Sequence, residues 1–166
     1  MATLLWVENA KPFMLDWLLP RAGEALRFIL GVTYAPELVG VQTWKPEVPL
    51  PEPHYIELNS ASFGIKINGE NAMVSVVPSK KHGAMCVSPD GWRSKLEYAL
   101  AAAVVIAIGE YSESDITDPG WAYIRAPKSL TAKEFADSIK AEETFNDINE
   151  AAQVFSSRLP LSPKQN

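Results

Sequence analysis

Cysteine and histidine are scarce in this chain: it has one cysteine, Cys86, and only two histidines among 166 residues. A single cysteine excludes an internal disulfide, and no Cys/His cluster has the spacing of a zinc site. We therefore predict no metal site and a reducing compartment. The N-terminal segment MATLLWVENAKPF also lacks the basic start and the long apolar stretch of a secretory signal, so a cytoplasmic protein is predicted.

Positive charge is also in deficit, with 15 Lys and Arg residues against 20 Asp and Glu residues and a formal net charge of -5. Binding to a phosphate backbone needs a net basic face, so this balance argues against nucleic acid and favours a basic protein partner. No glycine-rich phosphate loop accompanies the small basic segment Lys80-Lys81-His82, and no cofactor is predicted.

The chain does have one long apolar stretch, LEYALAAAVVIAI at residues 96–108. From Tyr98 onward no side chain in it is charged or strongly polar, so a helix of these residues is apolar on every face and belongs inside the fold. It is shorter than the roughly 20 residues that span a bilayer, and no membrane association is predicted. The helix is predicted to begin near Trp92, with Ser88 or Asp90 as its N-cap.

Strand patterns are concentrated in the middle of the chain. Phe63, Ile65 and Ile67 alternate with small or polar residues, which is typical of a half-buried strand. The turn signal Asn-Gly-Glu-Asn separates this strand from a valine-rich stretch, so the two are predicted to form a hairpin. The valine-rich strand of this hairpin covers 72–77. Further strands are predicted at 55–58, 84–87 and 121–124, and 3–7 is predicted as an edge strand or an apolar arm.

Helices are predicted on both sides of this region. Apolar residues recur every three or four positions through 13–30, but Pro20 interrupts them, because proline is tolerated without loss only in a first helical turn. We predict a short turn over 13–19 and then a helix over 20–30 that Gly31 ends.

Two more helices are predicted near the C-terminus. Thr131 and Glu134 have the spacing of a capping box, which opens the first of them. The second is predicted over 146–158.

The segment 33–53 holds five prolines and little periodicity, so it is predicted as an extended loop or irregular edge that wraps the body. Trp44 within it is a large residue of the kind that anchors a loop, or a partner, on a surface. Central strands, helices at both ends and no βαβ alternation indicate an α+β fold, with an antiparallel sheet packed against the buried alanine-rich helix. One domain is predicted over 1–159, followed by a flexible tail over 160–166.

Acidic residues are concentrated in the loop that leaves the apolar helix. Glu110, Glu113, Asp115 and Asp118 fall within nine residues, and carboxylates just beyond a helix C-terminus are disfavoured by the helix dipole. Three interpretations are open: a solvated loop, a patch that binds a basic partner, or a divalent-cation site, although the spacing is not that of an EF-hand. An Asp-Pro-Gly turn then leads directly to Trp121, placing an aromatic beside the acids.

A catalytic alternative depends on Cys86 and His82, which are four residues apart and of the types that pair as nucleophile and base. The apolar neighbours Met85 and Val87 favour an inert, buried cysteine instead. Acid–base chemistry would otherwise have to come from carboxylates. No catalytic residue is therefore predicted.

Part of the chain resembles a known class of domain. A β-hairpin is followed by a buried alanine-rich helix that runs into the pattern G-x-x-x-x-x-x-I-x-D-P, formed by Gly109, Ile116, Asp118 and Pro119, and then by an aromatic strand. This arrangement, over roughly residues 63–123, is similar to small α+β bacterial domains found as toxin-immunity proteins. The resemblance implies a protein that neutralises a cognate toxin by occluding it.

The leading hypothesis is thus a non-enzymatic protein-binding module of the immunity type that contacts a basic partner. Its predicted partner-binding residues are Glu110, Glu113, Asp115, Asp118, Trp121 and Trp44. Two alternatives stay open. One is a small hydrolase that uses carboxylates or Cys86, and the other is a homodimeric accessory protein whose proline-rich segment forms the dimer face.

Overall fold

Ten strands and four helices make up the computed structural model, which describes residues 5–51, 54–89, 94–120, 122–124 and 129–160. The strands are β1 Leu5–Glu8, β2 Phe13–Met14, β3 Leu38–Gln42, β4 Lys45–Pro49, β5 Tyr55–Ile56, β6 Phe63–Ile67, β7 Met73–Ser79, β8 Ala84–Pro89, β9 Ile116–Thr117 and β10 Ser129–Leu130. The helices are α1 Leu15–Leu30, α2 Lys95–Ser112, α3 Ala132–Ile139 and α4 Ile148–Arg158. The prediction of a single α+β domain is confirmed.

Eight of the strands form one antiparallel sheet in the order β10-β9-β1-β8-β7-β6-β3-β4. The predicted hairpin is confirmed as β6 and β7, with Ile65 opposite Val74. Gly69 lies in its turn at a φ of 84°, a left-handed conformation that favours glycine. The predicted strand over 55–58 is reduced to β5, which pairs with β2 outside the main sheet.

The structure tests the alternatives predicted for two segments. Strand β1 is neither an edge strand nor an arm, because it lies between β8 and β9 with Leu5 and Val7 fully buried. In the proline-rich segment the loop alternative is wrong and the irregular-edge alternative is confirmed, because residues 38–49 form a hairpin of β3 and β4 whose register shifts between Val41 and Gln42. Strand β4 is the edge of the sheet, where Pro46 and Pro49 are tolerated because an edge strand does not need every N–H.

Helix α1 is continuous from Leu15 to Leu30, so the predicted break at Pro20 is wrong. Pro20 is exposed and forgoes one helical hydrogen bond. The turn before it is held from outside the helix, because the N–H of Leu15 donates to the carbonyl of His54 at 2.8 Å and Leu18 is fully buried. Gly31 ends the helix in a left-handed conformation, as predicted.

Helix α2 is buried on every side from Leu96 to Gly109, as its composition predicts. Strands β1, β7 and β8 pack on one side of it, and α1, α3 and α4 surround the rest. It begins at Lys95, later than predicted, because Ser94 is the N-cap and forms a capping box with Glu97. The carboxylate of Glu97 also accepts the N–H of Met73 at 3.0 Å, which ties the helix start to the sheet.

The C-terminal helices follow their sequence signals. The capping box of Thr131 and Glu134 is confirmed, with backbone to side-chain bonds of 3.0 and 3.1 Å. Helix α4 starts at Ile148 after its N-cap, Asp147, close to the predicted start. The predicted strand over 121–124 is not formed by residues 122–124, while residues 90–93, Trp121 and most of the predicted tail (161–166) lie outside the described residues.

Candidate functional site

Three of the predicted acids form an exposed group at the C-terminal end of α2, which we call the acidic end: Glu110, Glu113 and Asp115. The last turn of α2 contains no basic residue that would offset the negative end of the helix dipole. The Nζ of Lys11 lies 4.0 Å from the Oε2 of Glu113, but the two side chains are 56% and 84% exposed. Such an exposed pair contributes little, so Lys11 offsets the charge of the acidic end only weakly.

The backbone of Glu113 adds a second unfavourable feature. Glu113 is the C-cap of α2 and adopts a left-handed conformation, with φ 54° and ψ 42°. Its N–H donates to the carbonyl of Glu110 at 3.3 Å. Glycine is the usual residue at such a position, because a side chain there crowds the following carbonyl. A glutamate here is unfavourable for both its charge and its conformation.

Asp118 does not belong to this exposed group, which corrects its predicted role in partner binding. Its side chain is completely buried. The carboxylate accepts the backbone N–H groups of Ala122 at 3.1 Å, Tyr123 at 2.7 Å and Ile124 at 3.1 Å. Three donors to one carboxylate explain how the charge is tolerated in the interior. Asp118 therefore shapes the following turn and is not accessible to a partner.

Tyr123 fastens that turn to the central helix. Its hydroxyl donates to the carbonyl of Tyr98 at 2.8 Å, and its ring packs against Phe135 with centroids 5.9 Å apart. Burial, and secondly the negative charge of Asp118, raise the pKa of the Tyr123 phenol well above its usual value. The phenol is thus a neutral hydrogen-bond donor, with a structural role.

A groove between α1, α2 and α3 adjoins the acidic end, and we call it the helical groove. Its volume is about 360 Å³. Buried Ile106 and Ala136 form part of its floor, and Phe28, which is 48% exposed, stands at its side. Glu110 also lines it and so joins the two features. The sequence prediction missed this groove, although Phe28 on the polar side of α1 was a signal for it.

Two aromatic rings form a wall beside the acidic end. Trp17 of α1 and Tyr111 of α2 have ring centroids 4.5 Å apart. The guanidinium of Arg21 lies over the Trp17 ring at 3.7 Å and donates to the Trp17 carbonyl at 3.0 Å. Such a stack fixes all three side chains. Tyr111 remains 39% exposed, so an aromatic surface stands next to the carboxylates.

Trp44, the other predicted aromatic contact, lies elsewhere on the molecule. It is 93% exposed at the turn between β3 and β4. Five strand-to-strand steps separate β3 from β9, which follows Asp115 in the chain, and at about 4.8 Å a step this is about 24 Å. The structure therefore does not bring Trp44 together with the acidic end.

Cys86 and His82 do not form a nucleophile and base pair. The His82 ring stacks with Trp6, with centroids 6.4 Å apart, and no hydrogen bond joins it to Cys86 within the described ranges. Partial burial raises the pKa of the Cys86 thiol above its usual value, which favours the unreactive thiol over the thiolate. In the part of the chain that the structure describes, no three His, Cys, Asp or Glu residues are placed to hold a metal ion.

The fold defines the class of this chain as a single α+β domain in which an eight-stranded antiparallel sheet packs against a buried central helix. No protein-family model, no curated protein and no solved structure matches it. The resemblance to toxin-immunity domains therefore stays a prediction. Among the described helices, none combines the length and the apolar character needed to cross a membrane.

Proposed function

We propose that this chain is a non-enzymatic, cytoplasmic protein-binding module, an immunity-type inhibitor that occludes a basic toxin surface with its acidic end. One observation carries the proposal. Glu110, Glu113 and Asp115 are exposed at the negative end of a buried helix with no basic residue in its last turn. A positively charged partner surface would make this arrangement favourable in the complex.

The magnitudes make this arrangement informative. Each carboxylate near a helix C-terminus costs about 0.3–1 kcal/mol of stability, and a non-glycine residue in a left-handed conformation costs about 1 kcal/mol or more. Folding alone gives no reason to combine these costs at Glu113. Binding does give one, because a negative surface on a rigid element steers a positive partner and speeds its association.

The aromatic wall supplies the second requirement of a tight interface. Binding energy is usually concentrated in a few packed aromatic or arginine side chains. Tyr111 is partly exposed and held against Trp17, so it is ordered before a partner arrives. We assign Tyr111 the contact role that the sequence analysis gave to Trp121.

The test begins with capture of the partner from the native host and continues with association kinetics. The double variant Glu113→Lys, Asp115→Lys should slow association about ten-fold or more and reduce its dependence on salt. The matched control is Glu142→Lys, Glu143→Lys, which makes the same charge change on an exposed loop after α3. An equal loss in both variants, or no loss in the first, would contradict the proposal.

Trp44 favours a second candidate function, a homodimeric accessory protein. A tryptophan that is 93% exposed is unusual on a free surface and is typical of a contact. Sedimentation equilibrium of the protein and of Trp44→Ala separates the two functions. A mass that doubles with concentration, and does not do so in the variant, would support the dimer.

A further inference from the structure

We infer that the helical groove is the anchoring site for an apolar side chain of the protein partner, and that Glu110 at its end pairs with a neighbouring lysine or arginine of that partner. The ligand class is thus a basic amphipathic segment of a protein. This inference rests on the proposed function, since it deepens the description of the same surface.

The groove has the size and lining of an anchor site. Its volume of about 360 Å³ lies at the lower end of the range for ligand pockets, about 300–1,000 Å³, and suits one large side chain. Ala25, Ile106 and Ala136 give it an apolar lining. Phe28 stands 48% exposed at its side, so an entering side chain would cover apolar surface that is now in water.

Two cations and three carboxylates line the groove, and Glu110 is the carboxylate that is open to a cation of the partner. Two of its three carboxylates already have a cation within hydrogen-bond distance, because Glu24 pairs with Arg27 at 3.2 Å and Asp137 pairs with Lys133 at 3.1 Å. Glu110 is different: among the described residues it has no ion pair. The nearby Arg21 is held over the Trp17 ring.

The packing of α1 on α2 separates Glu110 from Phe28 in the groove. Trp17 contacts Tyr111, so the start of α1 lies beside the end of α2, and Glu110 lies towards the Arg21 end of the groove. Phe28 lies seven residues beyond Arg21 along α1, which is a rise of about 10 Å along the helix axis. A ligand that occupies the groove therefore needs its cation and its apolar side chain on different residues.

Selection of phage-displayed random short peptides on the intact protein tests the inference. The enriched peptides should carry a large apolar residue together with a lysine or arginine. Phe28→Ala should weaken their binding about ten-fold, and Glu110→Gln about three- to ten-fold. The matched controls are Tyr55→Ala, an exposed aromatic outside the groove, and Glu143→Gln, an exposed acid outside it.

The outcomes separate the groove from the proposed function. Peptides without a basic residue, unchanged binding to Phe28→Ala, equal losses in the controls, or no enrichment at all would each overturn the inference. Thermal unfolding of every variant shows whether a loss of binding reflects a loss of folding. If the peptides bind as expected but reversal of Glu113 and Asp115 leaves the native complex unchanged, the groove stands and the proposed function fails.

Discussion

The C-terminal ends of α1 and α2 both leave the helix through a left-handed residue, but the residue types at the two ends are opposite in charge and in conformational preference. Helix α1 has Arg27 in its last turn and ends at Gly31, whose φ is 76°. Helix α2 has no basic residue in its last turn and ends at Glu113, whose φ is 54°. Both ends turn left-handed, but only α1 uses the residue types that stabilise such an end.

The surroundings of the two ends explain the difference. The carbonyl of Gly31 accepts the N–H of Phe145 at 2.7 Å, so the chain leaving α1 is packed beneath another segment. The end of α2 faces solvent through Glu110 and Glu113. One end is built for stability, and the other keeps an unfavourable charge where a partner can reach it. The end of α2 is therefore the better candidate for a binding surface.

The largest expected effect is at the stable end. Gly31→Ala should lower the free energy of unfolding by about 3 kcal/mol, because the new Cβ would be strained by the positive φ and would clash. The clash is with the carbonyl oxygen of Glu143 and, at 2.7 Å, with the Cβ of Ala141. Urea denaturation measures the change.

Gly69 is a control that separates backbone strain from steric clash. Gly69 also has a positive φ, 84°, but a Cβ there would meet nothing within 4 Å. Gly69→Ala should therefore cost only the backbone strain, about 1 kcal/mol. Equal losses at the two glycines would show that Gly31 is not closely packed.

The second effect separates the buried Asp118 from the three exposed acids at the end of α2. Asp118→Asn should lower the free energy of unfolding by about 2 kcal/mol, because the amide nitrogen of asparagine is a donor and leaves at least one of the three backbone N–H groups without an acceptor. The exposed Asp115→Asn is the control and should stay within about 0.5 kcal/mol of the wild type. Thermal unfolding followed by circular dichroism gives both values. Similar values would contradict the structural role of Asp118.

The smallest effect has the opposite sign. Glu113→Gly should raise the free energy of unfolding by about 1 kcal/mol, because it removes a left-handed side chain and a negative charge at the helix end. The same protein should bind its partner more weakly. Glu110→Gly is the control: it removes the same charge, but Glu110 lies inside the helix, where glycine is unfavourable, so this variant should gain no stability. A loss of stability in both variants would remove the contrast between the two helix ends.

Several features of the fold were accessible from local patterns. Residues 96–108 were predicted to form a buried helix because they carry almost no polar group. The β6–β7 hairpin, the Thr131 capping box and the Gly31 cap each depend on residues close together in the chain. The exposed acids Glu110, Glu113 and Asp115 were found in the same way.

Other features depend on distant residues and escaped prediction. Pro20 stays inside α1 because the preceding turn is held by a hydrogen bond from Leu15 to His54. Strand β1 lies inside the sheet because both β8 and β9 pair with it. The helical groove exists only where three separate helices meet.

By itself, the sequence determined the α+β class, the buried central helix and the concentration of acids after it, because hydrophobic periodicity, caps and charge are local properties. Only the tertiary structure decided which acids are accessible. Asp118 and Asp115 are chemically equivalent and three residues apart, yet one meets three inward backbone donors and the other meets water. Burial of a carboxylate depends on the partners that the rest of the fold brings to it.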